Sequence, residues 1–261
     1  MPKVKEIANA IEQYAPLSLQ ESYDNAGLQV GDPEMDVTAT LLCLDVTEDI
    51  LEEARKRHCN MIVSHHPLIF RGLKSLTGRT AAERMVARAI TERIAIYSAH
   101  TNLDSTIGGV SYEMAHMLKM RSLKALEPKD EAALTGLGII GDIEPTPKLE
   151  FLRKVKEEFK VRSLRYSGQS PQIVIRKVAL CGGSGASLIG RAIAEGADVY
   201  LSGDLKYHDF TDHGLNILLA DIGHYEGELC ATRIFSRIIR ERWPESVTYF
   251  AENESNPVMT L

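Results

Sequence analysis

Apolar residues recur at Val4, Ile7, Ala8, Ile11 and Tyr14, the spacing of one helical face, and Pro16 closes the run. From residue 40 onward the pattern changes to short apolar runs alternating with amphipathic stretches. Residues 40–44 predict a strand, 48–57 a helix and 61–63 a second strand, which makes a βαβ unit with parallel strands and a right-handed crossover. A helix over 81–92 and a strand over 94–98 follow, and Gly108 and Gly109 precede a helix to about Lys119. Residues 121–147 are looser, punctuated by Pro128, Pro145 and Pro147, with a strand expected over 136–143. The remaining pattern predicts a helix over 149–159, strands over 161–166 and 173–181, and a helix over 187–195. Strands over 198–202 and 216–220, a helix over 225–242 and a last strand over 247–250 complete the chain.

A shift of 138 residues lays Leu42-Cys43 on Leu180-Cys181, Ala54 on Ala192 and Ser64 on Ser202 without a gap. Strand, helix and strand coincide under it, so the chain reads as two related α/β halves whose strand ends can face one cleft. Four identities are also within reach of two βαβ units that share only a pattern. The expected division is 1–125, completed by about 222–261, and 126–221.

Composition narrows the setting. With 261 residues, 44% apolar and 25% charged, the chain is long enough for one large or two small cores. A net charge of −6 without a Lys/Arg block argues against a broad nucleic-acid surface, though a local basic lining is compatible with it. Cys43, Cys59, Cys181 and Cys230 show no C-x-x-C spacing, which predicts buried free thiols in a reducing compartment. The first residues carry no signal-like apolar core and no run reaches membrane-spanning length, so the expected location is the cytoplasm, away from a membrane.

The candidate chemistry lies at strand ends. The run 61–63 empties into His65 and His66, and Pro67 stops the strand from continuing. Adjacent side chains on extended backbone point apart, so two imidazoles there suit one each of two neighbouring ions, or are simply loop histidines. Three further strand ends deliver His100 with Asp104, Asp204 with His208, and His224 with Glu228. If the chain is helical from Tyr225, His224 and Glu228 share one face, as ligands of one site or as a surface i,i+4 pair. Asp104 alone reads as a ligand or a helix N-cap, and His208 as an acid–base or orienting residue. Asp24-Asn25 reads as a local turn or a site lining, and Gly182–Gly185 as a tight connection or a phosphate cradle. His65, His66, Asp104, His224 and Glu228 are three imidazoles and two carboxylates. That is too few donors to saturate two ions, which leaves positions for water or substrate.

The motifs SHHPLIF (64–70), SAHTNLD (98–104), GDLKYH (203–208) and GHYEGE (223–228), in this order, resemble the Nif-three-like family of dinuclear-metal-centre hexameric proteins, the GTP cyclohydrolase I type 2 homologues. ESYDNAGLQVG (21–31) resembles that family's N-terminal motif, with Tyr23 where Trp is commoner. Gly227 stands where the family more often has Ser or Thr. The chain resembles the short form, which lacks an inserted middle domain.

The resemblance implies a fold of two interlocked α/β domains, mixed sheets flanked by helices, with a metal site in the cleft between them. It implies a homohexameric ring and two divalent metal ions per chain (Zn, Fe, Mn or Ni). His65, His66, Asp104, His224 and Glu228 would be the ligands. Glu228 would bridge, Asp104 and His66 would hold one ion, and His65 and His224 the other. The implied activity is metal-dependent hydrolysis of a cyclic amidine or nucleotide, GTP being the substrate of the family label, with His100 and His208 as proton shuttles. The competing expectation is a non-enzymatic ring for metal handling, partner binding or nucleic-acid binding.

Overall fold

A computed structural model describes residues 1–168 and 173–260. The chain divides into two compact units, one of Met1–Leu103 with Ala231–Pro257, the other of Asp104–Cys230 with the last residues from Val258. The expected boundaries near 125 and 222 fall within β5 (Arg121–Pro128) and just before α9 (His224–Glu228), not at the edges of these units.

In the first unit a five-stranded sheet has the order β1-β4-β3-β2-β11. Its strands β2 (Thr40–Cys43), β3 (Met61–Ser64) and β4 (Ala95–Ser98) are parallel neighbours, and every residue in them is buried. Burial on both faces is why they read as unbroken apolar runs and not as alternating ones. The crossovers are α2 (Glu48–Lys56) and α3 (Ala81–Thr91), each started by a threonine hydroxyl, Thr47 on Ile50 N and Thr80 on Glu83 N, at 3.2 Å in both. The helix α1 (Val4–Tyr14) ends before Pro16 as expected. The strand β11 (Thr248–Phe250) returns from near the C-terminus to pair with β2. The strand β1 (Gly27–Val30) was not anticipated: it lies antiparallel to β4 inside a stretch that reads only as turn-prone.

The second unit holds a six-stranded mixed sheet, β5-β6-β8-β9-β10-β7. The strands β8 (Val174–Ser184), β9 (Val199–Gly203) and β10 (Leu218–Asp221) are parallel. Residues 121–147 are more regular than their pattern suggests, because β5 and β6 (Gly136–Pro147) form an antiparallel pair. Pro145 is accommodated where the β6–β8 register shifts between Asp142 and Thr146, and Pro147 ends the strand and starts α6 (Lys148–Glu158). Of the strand expected over 161–166 only β7 (Arg165–Tyr166) forms. The helix expected over 225–242 is two helices, α9 and α10 (Cys230–Arg242), parted at Leu229 beside the unit edge.

The internal echo extends to strand register. Thr40 pairs with Met61 and Leu42 with Val63; the shift of 138 lands on Val178 paired with Val199 and Leu180 with Leu201. In each unit a third parallel strand follows, β4 beside β3 and β10 beside β9. The polar strand ends at issue therefore leave equivalent positions of two similarly wound sheets, beyond the C-terminal edges where α/β proteins usually bind ligands.

Candidate metal site

In the first unit, β3 runs into His65 and His66 and β4 into His100. A ring nitrogen from each of the three lies within 4.8 Å of the others, and the ring centroids are 5.1 to 5.4 Å apart. Two strand-end serines hold this corner. Ser64 Oγ lies 2.8 Å from Ser98 Oγ and donates to the His66 carbonyl at 2.9 Å. Both histidine amides are used as well, His65 N donating to Cys43 O at 3.1 Å and His66 N to Leu44 O at 2.9 Å.

Each imidazole has its Nδ1 engaged by oxygen. His65, fully buried, places Nδ1 2.8 Å from the Ala99 carbonyl, an acceptor that requires a proton on Nδ1. His66 Nδ1 faces Asp45 Oδ1 at 2.9 Å and His100 Nδ1 faces Asp24 Oδ1 at 2.9 Å. Nε2 is then the nitrogen with the lone pair, the form in which imidazole binds a metal, and such outer acceptors fix ring orientation and raise ligand basicity.

Asp24 does both things its motif allowed. Its Oδ1 accepts from Asn25 N in a local turn at 2.7 Å, while Oδ2 accepts from Thr101 N at 3.0 Å and from the Thr101 hydroxyl. Burial pushes its carboxyl up, but the bonds from His100 and Thr101 outweigh this and hold it well below the usual carboxylate range.

The second unit carries the other candidates. Asp104 is buried on α4 (Thr101–Ser105), and Glu228 is buried on α9. His224 and Glu228 do share a helical face: Nε2 of the histidine lies 3.0 Å from Oε2 of the glutamate, while its Nδ1 faces Asp204 Oδ2 at 2.8 Å. Burial pushes the Cys181 thiol up, and the carboxylates of Asp104 and Glu228 beside it add to the effect. His208 is less engaged. It stands exposed on α8 (Tyr207–His213), and among the described residues its ring contact is with neighbouring Tyr207.

The Gly182–Gly185 stretch ends in the expected tight connection, Gly185 leading from β8 into the turn before α7 (Ile189–Ala194), and it serves a further purpose as well. Gly182, Gly183 and Ser184 lie in β8 itself, so no glycine amide of the stretch before Gly185 stands at a helix start. Gly183 has φ +59, and a Cβ there would lie 2.0 Å from Glu228 Oε1 and 3.3 Å from His224 Nε2. The glycine is the space in which the histidine and carboxylate sit.

Asp221 was also not anticipated. From the end of β10 it accepts from Leu205 N at 3.1 Å and from Gly223 N at 2.9 Å, and it pairs with Arg165. It thereby ties together the turns that carry Asp204 and His224. Asp204 itself has φ +57, a left-handed conformation tolerated best by Gly, Asn and Asp.

The donor set, with imidazoles oriented by oxygen acceptors and a buried carboxylate against one of them, fits divalent-metal ligation. Two α/β units presenting such groups beyond their parallel strands define a candidate metal-binding α/β protein. The chain belongs to the Duf34/NIF3 (NGG1p interacting factor 3) family, which it matches over residues 2–257. It is 37% identical over 238 residues to a Clostridium acetobutylicum protein named GTP cyclohydrolase 1 type 2 homolog, covering 90% of this chain and 88% of that one. It is 31% identical to the NIF3-like protein 1 of Drosophila melanogaster, covering 99% and 89%. Among solved structures, Staphylococcus aureus protein SA1388 superposes with TM-score 0.90 at 24% identity, covering 100% and 99%, a likeness of fold. Reduced HcgD from Methanocaldococcus jannaschii is similar with TM-score 0.82 at 27% identity, covering 96% and 98%. No helix among the described residues is long and apolar enough to cross a membrane.

Proposed function

We propose that this chain binds two divalent metal ions through His65, His66, Asp104, His224 and Glu228 and uses them to hydrolyse a cyclic amidine or a nucleotide ring. The observation that carries the reading is the cluster of His65, His66 and His100, whose ring nitrogens lie within 4.8 Å of one another and whose Nδ1 atoms are each engaged by an oxygen acceptor. Packing alone does not call for three strand-end imidazoles in one tautomeric form, whereas metal ligation does. When bound, divalent metals would lower the pKa of water toward neutrality and polarise the bond under attack.

The chain's own residues account for the rest. Glu228, buried against His224, is the carboxylate suited to bridging. Asp45 holds His66 with Nε2 free to ligate, and Asp204 orients the ring of His224. His100, oriented by Asp24, is the better placed proton carrier, because a base held by a second group keeps its lone pair aimed. His208, on an exposed helix, serves as a proton carrier only toward bulk water. The names of the relatives, GTP cyclohydrolase 1 type 2 homolog, support GTP as the first substrate to try. A cytoplasmic homohexamer is part of the proposal and is checked by light scattering coupled to gel filtration.

The experiment is metal content per chain by plasma mass spectrometry on protein purified without chelator or histidine tag. About two transition-metal ions are expected, falling sharply in Glu228→Ala, with GTP ring opening lost in parallel. Protein that carries none and takes up none from Zn, Mn or Fe solutions would end the hydrolase reading. A second reading, a partner-binding ring, draws on the family description, which names an interacting factor. It expects Glu228→Ala to keep its partner and its oligomeric state.

A further inference from the structure

The chain's last segment leads to the first unit's histidine corner. β11 pairs Phe250 with Leu42 of β2, and Ala251 N then donates to Leu42 O at 3.0 Å. Glu53 of α2, buried, accepts from Glu252 N at 3.0 Å and Asn253 N at 2.9 Å, which turns the chain back over the end of β2. There the Glu254 carboxylate accepts from Leu44 N and, at 3.3 Å, from Asp45 N.

The turn it holds is the one the histidines depend on. Leu44 O receives His66 N, and the Asp45 side chain engages His66 Nδ1. Asp45 is exposed, and the backbone beneath it is held in part from a distant segment. Glu254, 209 residues away in sequence from Asp45, supplies that restraint.

We propose that Glu254 is a positioning residue of the candidate metal centre: by capping the Leu44–Asp45 amides it fixes Asp45, and through Asp45 the ring and tautomer of His66. The inference rests on the reading of His66 as a metal ligand, but its first consequence belongs to the metal-free protein. Glu254 touches neither metal nor substrate in this scheme; it acts through Asp45.

The test uses the full-length chain with Glu254→Ala and Glu254→Gln. Long-range proton–nitrogen correlation spectra of metal-free protein report the tautomer of His66, assigned by its loss in His66→Ala. The Nδ1–H form is expected in the wild type and in Glu254→Gln, whose amide oxygen still accepts from the turn. In Glu254→Ala the form is expected to average, and the Zn dissociation constant, measured by chelator competition, to rise about ten-fold. Should Glu254→Ala not fold, Glu254→Asp, too short to reach the turn, replaces it with the same expectation.

A wild-type His66 signature and Zn affinity in the folded Ala or Asp variant would overturn the proposal and reduce Glu254 to a tail anchor. Loss of signature in Glu254→Gln equal to that in Ala would overturn the capping mechanism. If the wild type takes up no Zn while the His66 signature still responds to Glu254, the positioning role stands and the metal reading falls.

Discussion

At Gly183 one missing side chain decides whether two ligand candidates can meet. A methyl group there would overlap Glu228 Oε1, and the backbone sits at φ +59, so Gly183→Ala combines a clash with left-handed strain. Such strain costs on the order of 1–3 kcal/mol, and the clash displaces the carboxylate. The expected outcome is a folded but less stable protein in which the metal content depending on Glu228 is lost, read by thermal melting and plasma mass spectrometry together. Full metal content in this variant would show that Glu228 is not where the metal binds. Asp24, Asp45 and Asp204 make the complementary point. Each is one carboxylate whose partner is an imidazole 20 or more residues away, and each gives a histidine a ring orientation that its own local sequence cannot impose.

Among the elements, α3 does more than cross from β3 to β4. Its Glu83, three residues past the Thr80 cap, folds the loop before it: Thr77 N and Arg79 N donate to its carboxylate at 2.9 and 3.1 Å, and the Thr77 hydroxyl at 3.0 Å. Burial pushes this carboxyl up, but the hydrogen bonds from the loop prevail and hold it below the ordinary range. A carboxyl depressed in the folded state contributes stability above its unfolded pKa and loses it as the pH falls through its folded value. Glu83→Gln should therefore flatten the acid limb of the stability–pH curve and quicken proteolysis of residues 71–79 at neutral pH. An unchanged acid limb in urea titrations would contradict this. The elements also show where patterning is reliable. Buried parallel strands such as β2, β3 and β4 announce themselves as apolar runs. β1 and β5 do not, because strands with partly or largely exposed residues, glycine or proline carry little apolar signal.

For the whole molecule, repetition of the β–α–β winding with matched register gives each unit a set of polar strand ends, His65, His66 and His100 in one and Asp204, His224 and Glu228 in the other. The proposed ligands in each unit predict that metal stabilises the protein, since anything bound only by the native state adds RT ln(1 + [L]/Kd). At about one hundred times Kd that is ~2.7 kcal/mol. Adding Zn or Mn to metal-free protein should raise its melting temperature, and the rise should vanish in His65→Ala and in Glu228→Ala alike. A rise that survives either substitution would place the stabilising ion elsewhere.

Local pattern determined the helices and buried strands, the βαβ winding, and the arrival of His65, His66, His100 and His224 at strand ends or helix starts, with Glu228 one helical turn past His224. These follow from periodicity and punctuation within a few residues, which the order of amino acids records directly. Tertiary structure decided the rest: that Gly183 makes room for Glu228, that Asp221 joins the turns of Asp204 and His224, and that Glu254 caps a turn 209 residues before it. Such choices depend on which loop end a carboxylate or a missing Cβ faces after the sheets are wound. No period or motif encodes that, because one hydrogen bond between distant residues leaves no repeating trace in the chain.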